Sequence, residues 1–222
     1  MPPMTEFNYP NGLEIVVDFE MQVREVAAWA ELQHSDDAEF HHFPHALEVY
    51  STCMELADEF EASGTVVNRR NLAFAAIGHD ILAHVPLSTE IVPGQIFESK
   101  EHRSAWLLYN YLISRGYDEA SVAQPVYDLV VSTKRDEPCN TTESIILGMA
   151  DVYNTQEFEV FEERAQAFHR ETCLFEGKDC SFADWLPGAM VFLEGFLDKL
   201  PDPFADFGRA NIQRLRDKYL TS

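Results

Sequence analysis

The chain has 222 residues, with 38 acidic against 16 basic side chains and a formal net charge of -22. That length suits one domain with a substantial core, and that charge opposes binding to nucleic-acid backbones and to anionic membrane surfaces. No run reaches the roughly 18 apolar residues a membrane span needs, and Met1-Pro2-Pro3-Met4-Thr5-Glu6 lacks the basic start and apolar block of a secretory signal, so a cytoplasmic protein is expected.

Residues 1–17 read as irregular, with Tyr9-Pro10-Asn11-Gly12 as a turn. Ile15-Val16-Val17 is the one short stretch with strand character. Asp18 is expected to cap a first helix reaching about His34, because Phe19, Val23, Val26, Ala27 and Ala30 fall at helical spacing. A second helix is predicted from Pro44, a residue suited to a first turn, to Ser63, where Gly64 stops it. Its apolar stripe includes Ala46, Val49, Cys53, Leu56 and Phe60, which turns His45 inward. A third runs from Asn68 to Leu82 and is apolar over its second half, with Gly78 small enough for close packing beside it. Further helices are predicted from Phe97 or Ser99 to Arg115, Asp118 to Ser132, Thr142 to Val152, Gln156 to Cys173, Phe182 to Leu200 and Phe204 to Leu220. The pattern predicts a single all-α domain, with a core over about 19–155 and C-terminal helices over about 156–222 packed on it. Four cysteines without regular spacing point to reduced thiols, although Cys173 and Cys180 are near enough to pair on a loop.

Three apolar segments carry residues that do not belong in an apolar core. Ala75-Ala76-Ile77-Gly78-His79-Asp80-Ile81-Leu82 holds an adjacent imidazole and carboxylate. Burying that pair is costly unless something compensates the charge, and a divalent metal would. Neighbouring helical residues diverge by about 100°, so they grip one ion only at a helix end or with help from other elements. Phe40-His41-His42-Phe43-Pro44-His45 upstream and Gly148-Met149-Ala150-Asp151 downstream offer that help. His45, His79, Asp80 and Asp151 form a two-His, two-Asp set of the kind that holds Mn, Mg, Fe, Co, Ni or Zn. Such a set leaves open positions for an activated water, and His41 is the candidate acid for a leaving group. His42 is the alternative occupant of that role. Lys134 and Arg135 are candidate phosphate clamps.

The order His45, His79-Asp80, Asp151 resembles that of the HD-domain metal-dependent phosphohydrolase superfamily. Phe40-His41-His42-Phe43-Pro44-His45-Ala46-Leu47-Glu48-Val49 is similar to the phrase of its cyclic-nucleotide phosphodiesterase branch. Glu98-Ser99-Lys100-Glu101-His102-Arg103-Ser104-Ala105 and Gly208-Arg209-Ala210-Asn211-Ile212 resemble phrases of uncharacterised bacterial HD phosphohydrolases. The resemblance implies an HD-type helical bundle and one divalent metal on His45, His79, Asp80 and Asp151. It further implies His41 as the proton donor and a small phosphorylated substrate of nucleotide type. His84, Glu98 and His102 become candidates for contacting that substrate. Two alternatives belong to other classes: a di-iron oxygenase at the same site, or a non-catalytic nucleotide- or partner-binding module. The dinuclear members add two His between the doublet and the last Asp, whereas here none lies between His102 and Asp151. The deoxynucleoside-monophosphatase branch places a Glu where this chain has Ala83.

Overall fold

The structure, a computed structural model, describes residues 19–153, 157–177 and 179–220. The expected Asp18 cap, Tyr9–Gly12 turn and Ile15–Val17 stretch lie outside those residues. Nine α-helices and no strand occur among the described residues: α1 Phe19–Glu31, α2 Phe43–Ala62, α3 Arg69–Gly78, α4 Lys100–Ser114, α5 Gln124–Val131, α6 Thr142–Asp151, α7 Phe158–Glu176, α8 Phe182–Leu197 and α9 Asp202–Leu220. No helix there is long and apolar enough to cross a membrane.

Helix α3 is the axis of the bundle. Every residue from Asn71 to Gly78 is buried, as expected for a helix that is apolar on all sides. α1, α2, α5 and α6 pack around it, and α4 packs on α5. At Gly78 an added Cβ would meet Leu108 Cδ2 of α4 at 2.6 Å, so glycine permits the close approach there. The buried apolar residues divide into two clusters. One runs from Val23 to Ala150. The other joins Val152, just after α6, to Phe161, Leu186, Met190, Phe196, Leu197, Ile212 and Leu215 of α7, α8 and α9. Met149 touches both.

The helix ends depart from the sequence expectation for identifiable reasons. α1 stops at Glu31, and His34 folds back to give its Nδ1 hydrogen to Ala30 O at 2.8 Å. α3 stops at Gly78, so His79 and Asp80 lie in the turns that follow. The expected Asp118–Ser132 helix opens with a π-helical turn, Glu119–Ala123. Pro125 has no N–H to return to Ser121 O, and the side chain of Asn71 takes that carbonyl instead at 3.0 Å.

The loop after α3 is held by α4. Leu82 has a φ of 57°, a conformation unfavourable for a branched side chain, and its N–H donates to Gln33 O at 3.2 Å. Ser104 Oγ donates to Ile81 O at 2.8 Å. Arg103 is 1% exposed and donates to the carbonyls of Leu82, Val85 and Pro86 at 2.5, 2.7 and 3.3 Å. Its guanidinium thus goes to backbone rather than to the nearby carboxylates Glu98 and Glu101. Lys199 does the same at the far end, donating to Ser132 O, Lys134 O and Glu137 O at 2.7, 2.6 and 3.2 Å.

Arg103→Met should therefore orphan the Val85 carbonyl, leave those of Leu82 and Pro86 with only their backbone donors Val85 N–H and Thr89 N–H, and cost about 1–3 kcal/mol. Urea unfolding of the variant against the parent checks this. A change below about 0.5 kcal/mol, the size expected of a neutral surface substitution, would mean that the three bonds do not hold the loop.

Candidate metal centre

The four sequence-predicted ligands meet where three helices end. His45 is in the first turn of α2, His79 caps the C-terminus of α3, Asp80 follows it, and Asp151 is the last residue of α6. The antiparallel packing of α2 against α3 and α6 brings its start to both of their ends. Asp151 ends α6, one residue short of the expected Val152, and its carboxylate faces the other three. One ligand atom from each residue lies within 4.8 Å of the others. His79 Nε2 is 3.0 Å from Asp80 Oδ2 and 3.4 Å from Asp151 Oδ1. His45 Nε2 is 3.9 and 3.5 Å from the same two atoms.

The imidazoles form the floor and the carboxylates the open rim. Side-chain exposure is 3% and 1% for His45 and His79, but 19% and 20% for Asp80 and Asp151. Neither buried Nε2 makes a regular hydrogen bond; both are aimed at the same pair of carboxylates, within ion-pair distance. His79 Nδ1 lies 2.8 Å from Ala76 O. A carbonyl only accepts, so Nδ1 carries a hydrogen, and Nε2 is the atom whose lone pair would meet a bound ion once its own proton is displaced. This is the ring orientation that a metal-ligating His requires. The residues thus fit a divalent cation, and the C-terminal ends of α3 and α6 add their partial negative charge.

Electrostatics agree with mutual dependence. Burial alone would push the His79 imidazolium down, but the Asp80 and Asp151 carboxylates outweigh it and hold it well above the ordinary range. Burial alone would raise both carboxylates. His79 and His41 hold Asp80 far below the usual range, and His45 and His79 do so for Asp151.

His41 stands on the rim. Its Nε2 is 3.9 Å from Asp80 Oδ2, and its Nδ1 hydrogen-bonds Glu171 Oε1. Glu171, on α7 and almost fully buried, also accepts the backbone N–H groups of Phe40 and His41, both at 2.8 Å. Sequence reasoning missed Glu171, one acid among many on an amphipathic helix. The available signal was its spacing: it shares a face with Phe168 and Phe175, three and four residues away, where a carboxylate is out of place.

The remaining candidates separate. His42 is the N-cap of α2, its Nδ1 accepting the His45 N–H at 3.0 Å, so it does not compete for the acid role. His84 lines a cavity with Lys100 and Glu171, behind His41. His102 is engaged with the Ser99 hydroxyl, whose oxygen accepts the His102 N–H at 3.2 Å and lies 3.1 Å from its Nδ1, at the start of α4. Glu98 is exposed just before it. Lys134 pairs with Glu137 at 3.7 Å and Arg135 with Asp136 at 3.0 Å. Their loop is anchored by Lys199, so neither is presented as a phosphate clamp. Two cavities do open on the cluster. One of about 410 Å³ is lined by His45, Glu48, Thr52, Asp151, Tyr153 and Arg164. The other, of about 100 Å³, is apolar and lined by Phe40, Asp151, Phe168, Trp185 and Met190. Arg164, paired with Glu48, borders both and is a second residue that the sequence did not single out.

Two outcomes are expected. Asp80→Ala should abolish stoichiometric metal binding by the four-residue set, read by isothermal titration with Mn²⁺. In the chelated protein the raised His79 contributes stability that is full below the unfolded-state pKa of about 6.5 and is lost as pH rises through the folded value. The metal-loaded protein does not depend on that proton. The melting-temperature gap between loaded and chelated protein should accordingly widen as pH is raised above about 6.5; a constant or narrowing gap would contradict the assignment.

No family model, curated protein or solved structure matches this chain.

Proposed function

We propose that this protein is a metal-dependent phosphohydrolase of the HD type, cleaving a phosphoester of a small, nucleotide-like substrate. The observation that carries this reading is the pair of buried His45 and His79 Nε2 atoms converging on Asp80 and Asp151, with His41 facing Asp80 from the rim. When bound, a divalent ion at this set supplies an activated water and neutralises charge on the phosphoryl oxygens.

The chain's own residues account for the rest. His41 Nδ1 gives its hydrogen to Glu171, an acceptor, so Nε2 is the atom directed at the site. Burial works against an imidazolium there, yet Asp80 and Glu171 outweigh it and keep the ring's pKa above the ordinary value. In its protonated form it can deliver a proton from Nε2 to the leaving oxygen. Glu171 stays ionised because the His41 hydrogen bond overcomes the penalty of its burial. Phe40, Phe168 and Trp185 wall the apolar cavity beside Asp151, a setting that suits a flat ring next to the phosphoester. Arg164 stands where it can meet a phosphoryl or sugar oxygen from the polar side. The strong negative charge of the chain does not prevent this, because the bound ion dominates the local field.

The test uses two phosphoesters that differ in leaving group, assayed with metal-loaded protein. His41→Ala should slow an alkyl or ribose phosphoester by about 10²–10⁴-fold with metal content intact, and a nitrophenyl phosphoester much less. Glu171→Gln should reproduce a weaker version, roughly 10–100-fold, and shift the acidic requirement in the pH–rate profile. Equal losses on both esters would remove His41 from the acid role. A metal-loaded protein inert toward every phosphomonoester and phosphodiester of a nucleotide panel would overturn the hydrolase reading.

A further inference from the structure

A second set of ligand-type side chains lies outside the centre described above. His169 and Cys173 are four residues apart on α7, on one face of the helix. Gly177, in the left-handed conformation with φ of 62°, ends α7 and turns the chain back. Cys180 directly precedes Ser181, the N-cap of α8, whose hydroxyl accepts the Asp184 N–H. The hairpin thereby brings together two donors from α7 and one from the turn that precedes α8. No disulfide joins the cysteines: their Sγ atoms are 3.9 Å apart. His169 Nε2 is 3.4 Å from Cys173 Sγ and 3.9 Å from Cys180 Sγ.

Those spacings have a specific meaning. With Zn–S near 2.3 Å and Zn–N near 2.0–2.1 Å, a regular tetrahedron has edges of about 3.8 Å between sulfurs and about 3.5 Å between sulfur and nitrogen. The three observed separations lie within about 0.4 Å of those edges. Phe182 and Trp185 pack on the His169 ring, at centroid distances of 5.6 and 5.4 Å, and fix its direction. All three ligand residues are partly exposed, so an ion can reach them.

We propose that His169, Cys173 and Cys180 form a tetrahedral site for a thiophilic divalent cation of the zinc type, its fourth corner taken by water. Two thiolates and an imidazole select Zn²⁺ or Co²⁺ over the Mg²⁺ or Mn²⁺ that carboxylates accept. His169 Nε2 now lies 2.9 Å from Cys180 O and so carries its hydrogen there. Binding moves that hydrogen to Nδ1 and releases two thiol protons to solvent, leaving the nitrogen lone pair and both thiolates for the ion. The ion would staple α7 to α8, and with it Phe168 and Glu171 beside the first centre. The site does not depend on the proposed hydrolase activity.

Cobalt distinguishes the two centres, because only a thiolate ligand gives a sulfur-to-metal charge-transfer band. The full-length protein is stripped with a chelator, kept reduced with a phosphine, and titrated with Co²⁺. The expected result is a near-ultraviolet charge-transfer band with intense visible bands of tetrahedral Co²⁺, saturating at one thiolate-bound ion per chain and bleached by Zn²⁺. Cys173→Ser and Cys180→Ser should each abolish it, while Asp80→Ala retains it in full. Absence of the band from parent protein with four titratable thiols would overturn the proposal. So would its persistence in the Cys173→Ser/Cys180→Ser double variant, which would place the ion on Cys53 or Cys139.

Discussion

Two carboxylates and two imidazoles cannot share a buried space unless their charges are balanced, and the fold is arranged around that requirement. The solution places each ligand at a helix end rather than along a helix side. α2 begins where α3 and α6 finish, so His45 enters from a first turn while His79, Asp80 and Asp151 leave from last turns. Helix ends carry backbone groups that the helix itself does not satisfy, and they let neighbouring residues such as His79 and Asp80 turn toward a common point. The cost appears in the loop beyond the doublet, where Leu82 adopts a left-handed backbone and is held there by Gln33, Ser104 and Arg103.

The ligand set was legible because it violates its surroundings. His79-Asp80 follows Ala75-Ala76-Ile77-Gly78, and Asp151 follows Leu147-Gly148-Met149-Ala150, so each polar group stands out against an apolar run. The helices were legible for the complementary reason, through regular apolar spacing and through end signals such as Pro44 and Gly64. What could not be read depends on tertiary packing. Glu171 reaches His41 across 130 residues of chain, and nothing local distinguishes it from the other acids except its place on a partly apolar face. Arg103 and Lys199 look like surface charges in sequence, yet each is consumed by three backbone carbonyls. Lys134 and Arg135 look like a clamp because two adjacent cations suggest an anion; their acidic neighbours Glu137 and Asp136 already supply it.

The two hydrophobic clusters divide the labour in the same way. The first, centred on α3, carries all four ligand residues of the metal centre on its elements or at their ends. The second, built from α7, α8 and α9, carries Glu171, Phe168, Trp185 and Arg164, which orient the rim His and shape both cavities. The site lies at the seam, with Phe40 and Asp151 touching both sides of it.

That seam has a consequence for how the protein is made. The last of the four candidate ligands is at position 151, and the carboxylate bonded to His41 is at 171, on a helix whose own packing partners extend to Leu215. Under the proposed function, all four ligands emerge during vectorial synthesis before the second cluster is complete. The rim imidazole then lacks the buried carboxylate that fixes its direction until the C-terminal helices dock. Under the proposed chemistry, a nascent chain would hold its ion yet remain catalytically mute, and competence would arrive only with completion of the second cluster.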